Sequence, residues 1–481
     1  MAPAPIDNYW LLLVLVAGLI HLSGIFSALH AVVRTRTAQG AVAWTISLIT
    51  FPYLALPLYW VFGRGKFHGY VAARRSGDLK IHHIAADLRR RLHGPQIRFD
   101  SGGNDSLAVF ERLAGMPFTA GNRISLLQDG GATYGAMFSA IDAADRYVLL
   151  QSYMIRDDDL GRDLKARLLR KAADGVAVYL LYDEIGSYGL PAEFGAELRA
   201  GGVDVRAFST TRGRVNRFQL NFRNHRKTLI VDGLTAFVGG LNFGDEYLGR
   251  DGAVGAWRDT HVHFAGPAVQ AVQLAFVEDW YWAARDVPEL SWNLQEGKGE
   301  MAALVLPTGP ADYWDSCELF LIEAVSRARR RIWIASPYFV PDEQILAALQ
   351  LARLRGVEVR LLLPNKADHM LVDRASYAHY PMAERAGIEI YRYEAGFLHQ
   401  KVLLIDDELA SVGTANLDNR SFRLNFEISL VVWDARFAEQ VEAMLLRDFT
   451  VSRRVIAGEL DEKSLWFRFG VSLSRLLAPI L

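Results

Sequence analysis

One pattern is written twice in this 481-residue chain, and it limits the fold more than any other feature. Residues 224–242 read NHRKTLIVDGLTAFVGGLN, and residues 398–416 read LHQKVLLIDDELASVGTAN. Both run His, any residue, Lys, four residues, Asp, six residues, Gly, two residues, Asn, and the copies stand 174 positions apart. That period far exceeds the roughly 20–50 residues of a solenoid repeat. It predicts a duplicated domain whose halves, 116–300 and 301–481, meet face to face about a pseudo-two-fold axis.

The surroundings of the two copies match in order. In the first half RYVLLQSYMI (146–155) reads as a strand, GRDLKARLLRKAADG (161–175) as a helix and VAVYLLYDE (176–184) as a strand. RIWIASPYFV (331–340), DEQILAALQLARLRG (342–356) and VEVRLLLPN (357–365) repeat the order in the second half. Such alternation predicts an α/β class, with helices covering a largely parallel sheet.

The N-terminal region differs in kind. Runs 9–33 and 41–62 are apolar and each is long enough to cross a hydrocarbon core of about 30 Å as a helix. Six residues, RTRTAQ, join them, so 1–66 is expected to form a transmembrane helical hairpin and a multi-pass anchor. A cleaved signal peptide fits less well, since no positive charge precedes the first run. Arg64, Lys66, Arg74, Arg75 and Lys80 follow the second run and favour a cytoplasmic body; Arg34 and Arg36 in the short loop oppose it. Residues 67–115 read as a connector, suited equally to the membrane surface and to solvent. The tail LWFRFGVSLSRLLAPIL (465–481) suits lipid contact or a packed terminal helix equally.

With 51% hydrophobic and 22% charged residues the chain is a folded one. A net charge of −1 lacks the basic excess of a nucleic-acid binder, so no nucleic-acid partner is expected. The single cysteine, Cys317, excludes an internal disulfide and a Cys-rich zinc site, and reads as a core residue.

If the pattern lies on strands, side chains alternate, and His225 shares a face with Lys227 as His399 does with Lys401. Asp232 and Asp406 then point the other way, where they suit fixing local structure. Gly239 and Gly413 permit close backbone approach, and Asn242 and Asn416 can return an amide toward the same pocket. Paired about an axis, the copies supply two imidazoles, two ammoniums and two amides to one cavity. That set suits a phosphodiester. Lys and Asn hold the non-bridging oxygens, one neutral His attacks phosphorus, and the other, protonated, serves the leaving alkoxide. An ordinary imidazole pKa near 6.5 makes both states accessible around neutrality. No metal or other cofactor is required, and lysines beside the histidines would repel a cation. A nucleophilic His needs an orienting acceptor on its other nitrogen. Glu427 in NFEISLVV and Asp259 in WRDTHVHF are the candidates. His261 and His263, beside Asp259, have no counterpart in the second half and read as structural.

HRKTLIVD (225–232) and HQKVLLID (399–406) resemble the phospholipase D superfamily, whose signature H-x-K-x4-D appears twice in one chain. QSYMI, SPYF, WRDTH, GTANLDNRSF and RLLAPIL, with the N-terminal apolar runs, resemble its bacterial cardiolipin synthase branch. The resemblance implies a duplicated phospholipase D-like fold over about 116–481 and a catalytic set of His225, Lys227, Asp232, His399, Lys401 and Asp406. It also implies phosphatidyl transfer through a phosphohistidine, from one phosphatidylglycerol to another in the bilayer, giving cardiolipin and glycerol. By the same resemblance His225 is the nucleophile. Hydrolysis with water as acceptor uses the same histidines and is the alternative. A non-catalytic scaffold would not need both His-x-Lys pairs.

Overall fold

The computed structural model describes residues 6–63, 66–67, 69–71, 79–92, 107–211, 219–252, 255–294, 297–366 and 369–480. It divides into two units. One takes the residues up to Val71 together with Thr210–Phe222; the other takes the rest.

In the larger unit each half grows outward from a shared centre, where strands Thr119–Gln128 and Met301–Thr308 pair antiparallel. Outward from the first come Thr260–Ala265, Thr235–Gly239, Thr228–Val231, Tyr147–Ser152, Ala177–Asp183 and Asp204–Phe208. Outward from the second come Asn425–Trp433, Leu409–Gly413, Val402–Ile405, Arg331–Ala335, Glu358–Pro364 and Glu389–Tyr393, with Ser452–Arg454 at the edge. The order is the same on both sides, so the duplication forms one continuous sheet of sixteen strands among the described residues. The expectation of a largely parallel sheet is corrected. Tyr147–Ser152, Ala177–Asp183 and Asp204–Phe208 run parallel in the first half, as do Arg331–Ala335, Glu358–Pro364 and Glu389–Tyr393 in the second, whereas the main strands between these two sets pair antiparallel and so does the edge strand Ser452–Arg454. The reason lies inside the repeated pattern. Val231 pairs with Thr235 and Ile405 with Leu409, so Asp232-Gly233-Leu234 and Asp406-Asp407-Glu408 are tight hairpin turns, which join only antiparallel strands.

The helices follow from local chemistry. Asp158 caps Asp159–Ala173 by accepting from Gly161 N at 2.9 Å, and Leu160, Leu164 and Leu168, four apart, are buried. Asp342 caps Glu343–Leu354 through Gln344 N and Ile345 N, and Ile345, Leu349 and Ala352 are buried. Helices Val269–Ala284 and Ala435–Thr450 close off the parts of the sheet that carry the repeated pattern. Helix Leu107–Ala114, read from sequence as connector, belongs to the core instead. Leu107 and Phe110 are buried in the second half's apolar cluster, with Phe110 5.3 Å from Phe320, ring to ring. The SGGNDS stretch lies outside the described residues.

In the smaller unit α1 (Ile6–Arg34) is long, apolar and mostly exposed, and Tyr9–Arg34 is the one helix among the described residues that is long and apolar enough to cross a membrane. The second apolar run is not one continuous helix, so of the two long helices expected for a hairpin only the first is found among the described residues. It breaks into α2 (Ala38–Thr50) and α3 (Pro52–Phe62), because Pro52 cannot donate to the preceding turn and disfavours helical geometry at Phe51. α3 then folds back along α2. Trp44 and Tyr59, on opposite sides of the break, meet edge to face at 5.3 Å. The Leu48 carbonyl and Pro52 crowd Gly24 at mid-length of α1, yet Trp60 Nε1 donates to Ser27 Oγ and Tyr59 Oη lies 2.6 Å from His30 Nδ1, back toward the Arg34 end.

The turn aspartates have a defined task. Both sit in the left-handed region, Asp232 at φ 57° and Asp406 at φ 50°. The Asp232 carboxylate accepts from the backbone N–H of Asp145, Arg146 and Tyr147 at 2.7–2.9 Å. Asp406 does the same for Arg329, Arg330 and Arg331 at 2.8–3.0 Å. Each thereby ties its hairpin to the start of the neighbouring strand. Asp232→Asn keeps the left-handed turn but halves the acceptor capacity, so we expect a loss of about 2 kcal/mol and a lower Tm. Turnover per folded molecule should be retained. Thermal unfolding of the purified protein checks this, and an unchanged Tm would contradict it.

Candidate active site

His225 and Lys227 lie just before strand Thr228–Val231, and His399 and Lys401 just before Val402–Ile405. These short approach segments pair with the other half. Arg223–Asn224 runs parallel to Asn425–Phe426, and Phe397–Leu398 runs parallel to Trp257–Arg258. His225 N donates to Phe426 O at 2.9 Å, and His399 N donates to Arg258 O at 2.8 Å. The next residue on each partner strand is a carboxylate. His225 Nδ1 is therefore 2.9 Å from Glu427 Oε2, and His399 Nδ1 is 2.7 Å from Asp259 Oδ2. Both carboxylates expected from sequence are beside a histidine, and each serves the histidine of the opposite half. With Nδ1 turned to a carboxylate, Nε2 is the nitrogen left for chemistry.

The carboxylates are held in turn. Glu427 accepts from Thr414 Oγ1 at 2.6 Å, Ser421 Oγ at 2.8 Å and Asn425 Nδ2 at 3.1 Å. Asp259 accepts from Thr260 N at 2.7 Å. Thr414 has Gly240 as its counterpart, and a Cβ on Gly240 would sit 2.0 Å from Asp259 Oδ1. A Cβ on Gly239 would strike the His261 ring at 2.5 Å, so the expected close approach is to His261. His261 is fully buried behind the site, and His263 sits beside Thr235 at 2.6 Å.

Charge inside the site follows from burial. Burial pushes His225 down to about 4, with Glu427 opposing and Lys227 adding to the shift. This corrects the expectation that it titrates near neutrality. Burial likewise brings Lys227 down to about 7. Burial also works against the charged form of Glu427, yet His225 and Lys227 beside it hold its carboxyl below the ordinary range. Lys401 and His399 do the same for Asp259. Lys227 Nζ donates to His225 O at 2.7 Å and Lys401 Nζ to His399 O at 2.5 Å, so each ammonium is fixed beside its histidine.

His225, His399, Asn242 and Asn416 line one cavity of about 690 Å³. Asn242 Oδ1 accepts from Met154 N at 3.2 Å while its amide nitrogen meets Tyr247 Oη. Asn416 Nδ2 is 3.4 Å from Asp418 and its Oδ1 has no hydrogen-bond partner among the described residues. Several lining residues were not picked out from sequence. Tyr153 lies edge-on to His225 at 4.9 Å, Trp257 is 5.1 Å from His399, and Arg223 and Arg420 join the wall. Two buried aspartates beneath the floor were also missed. Asp279 accepts from Gln151, Asn224 and Arg226 at 2.8–2.9 Å. Asp448 accepts from Arg258 and Gln400 at 2.9–3.1 Å. Arg226 and Gln400 are the middle residues of the two His-x-Lys triplets, so each triplet is anchored from below. The available signal was a lone Asp in each of two helices with an apolar face.

Crossed pairing makes a specific expectation for stability. Double-mutant cycles should give coupling of about 1 kcal/mol or more for His225 with Glu427 and for His399 with Asp259. Coupling should be near zero for His225 with Asp259 and for His399 with Glu427. The reverse pattern would contradict the crossed pairing.

A family model described as "Cardiolipin synthase, PLD-like domain" matches residues 137–280 and 321–449. Cardiolipin synthase A of Pseudomonas entomophila (strain L48) is 49% identical over 466 residues, covering 96% of this chain and 97% of the relative. Cardiolipin synthase A of Pseudomonas putida is 48% identical with the same coverage. Among solved structures, the phosphatidylserine synthase of Haemophilus influenzae Rd KW20 matches with a TM-score of 0.62 at 14% identity, over 79% of this chain and all of its own. That likeness is one of fold alone. Matched in both halves by the family model and nearly end to end by these relatives, the chain belongs to the cardiolipin synthase family of phospholipase D-like proteins.

Proposed function

We propose that this chain is a phosphatidyltransferase that joins two phosphatidylglycerol molecules into cardiolipin and releases glycerol. The observation that carries the reading is two crossed His–carboxylate pairs opening on one cavity. His225, neutral at pH 7, attacks phosphorus through Nε2. The P–N bond forms, the bond from phosphorus to the glycerol oxygen breaks, and His399 gives its Nε2 proton to the departing alkoxide. The hydroxyl of a second phosphatidylglycerol then enters. His399 takes its proton, the new P–O bond forms and the P–N bond breaks. Glu427 and Asp259 hold the two imidazoles and stabilise them when they carry charge. Lys227 and Lys401 face the non-bridging oxygens, with Asn242 and Asn416 beside them. An arriving phosphate anion favours the charged form of Lys227, which burial alone disfavours.

The anchor has a matching reading. α1 crosses the inner membrane once, and the α2–α3 pair enters partway and returns to the side of Arg34. Arg34, Arg36 and Lys66 then all lie on one side, so the basic residues that conflict under two spans agree on a cytoplasmic body and an N-terminus outside. Cysteine labelling in spheroplasts checks it, because the one native thiol, Cys317, is buried. An impermeant maleimide should label Pro3→Cys and spare Arg36→Cys; labelling of Arg36→Cys would contradict the single crossing.

The reaction is tested by incubating the purified protein with phosphatidylglycerol alone. Cardiolipin and glycerol are expected, whereas phosphatidic acid in their place would assign a hydrolase. The pH profile tests the nucleophile. With a nitrophenyl phosphodiester, whose leaving group needs little protonation, kcat/KM reports the free enzyme's base. A histidine must be neutral to attack, and burial disfavours its charged form. Activity should therefore persist as pH falls through 6.5 and decline with a midpoint near 4. A midpoint near 6.5 would contradict the assignment of His225.

A further inference from the structure

The pseudo-two-fold is broken at the cavity wall. The constant offset of the repeat sets Arg223 against Phe397 and Arg420 against Glu246. Arg223, Arg420 and Glu246 line the cavity, and Phe397 is buried against His399 and Trp257. Tyr153, beside His225, thus has two guanidiniums next to it, whereas Trp257 stands beside His399, and the further lining guanidinium, Arg156, is tied to the Glu246 carboxylate at 2.6 Å.

The two arginines come from different halves and meet at Tyr153. Arg223 hydrogen-bonds the Tyr153 hydroxyl, Arg420 is close enough to act on the same ring's charge, and Tyr153 stacks edge-on to His225. Burial and the neighbouring Arg223 both work against Arg420's charge, so two cations are held side by side in a partly desolvated wall. The nearby carboxylates also have work elsewhere. Asp183 accepts from the backbone of Ile185, Gly186 and Asn224 at 2.7–3.0 Å, and Asp418 caps its helix through Ser421 N at 2.7 Å. Such a wall is built to receive an anion.

The transferred phosphoryl group is already served by Lys227 and Lys401. Joining two phosphatidylglycerols brings a second phosphodiester into the cavity, a three-carbon bridge away from the reacting hydroxyl. We propose that Arg223 and Arg420 bind the phosphodiester of the accepting lipid, so that the enzyme selects an anionic lipid alcohol over a free neutral one. This rests on the phosphatidyl-transfer reading above.

The test uses the full chain in mixed micelles and compares Arg420→Gln with Arg420→Lys and Arg223→Gln. Exchange of labelled glycerol into phosphatidylglycerol engages one phosphate; cardiolipin formation engages two. Arg420→Gln should raise the KM for accepting phosphatidylglycerol about tenfold or more while glycerol exchange persists, and Arg420→Lys should recover part of the loss. Glycerol phosphate, an acceptor with the anion and no acyl chains, should outcompete glycerol in the wild type and lose that advantage in Arg420→Gln. Equal losses of exchange and synthesis, or no change in either, would overturn the site while leaving the phosphatidyl-transfer reading intact. A wild-type protein that exchanges glycerol but makes no cardiolipin would overturn both.

Discussion

Everything in the site depends on backbone pairing across the two halves. Each histidine is carried on a short segment that hydrogen-bonds to the other half's carboxylate strand, and that ladder brings Glu427 to His225 and Asp259 to His399. Neither half holds a complete pair by itself. The central antiparallel join of Thr119–Gln128 with Met301–Thr308 fixes the two-fold that makes the crossing possible. The aspartates below, Asp279 and Asp448, hold the triplets against it. Duplication here therefore makes one site shared by two halves.

Burial sets the chemistry that this frame performs. A histidine and a lysine in the same dry wall would both lose charge, and the ionised Glu427 and Asp259 offset part of that cost. The two halves solve the same steric problem differently. A Glu reaches a Thr hydroxyl in one, and a shorter Asp fits against a glycine without a Cβ in the other. The frame is symmetric and the walls are not, which gives two equivalent-looking histidines distinct neighbours.

Much of this was legible in the chain. The spacing within the repeat located both histidines and both lysines, and the segment order located the duplicated α/β halves. Asp259 and Glu427 were also readable as carboxylates on later strands. Their crossing was not, because the partners stand 140 and 202 residues from the histidines they touch. The antiparallel inner strands were readable from the Asp-Gly turn at 232–233, a hairpin signal inside the very motif that drew attention for its chemistry. Pro52 in the second apolar run marked the break that strand-and-span lengths alone passed over. Arg223 and Arg420 lay unread because a single arginine gains meaning only when the fold sets it against its counterpart in the other half.

One measurement reaches the central claim, that two halves build one site. Turnover of phosphatidylglycerol is compared among folded His225→Ala, folded His399→Ala and the wild type. A shared site requires both single variants to lose essentially all turnover, by about a thousandfold or more as for other members of a concerted catalytic set. Either variant retaining about half the wild-type rate would show two independent sites and contradict the account.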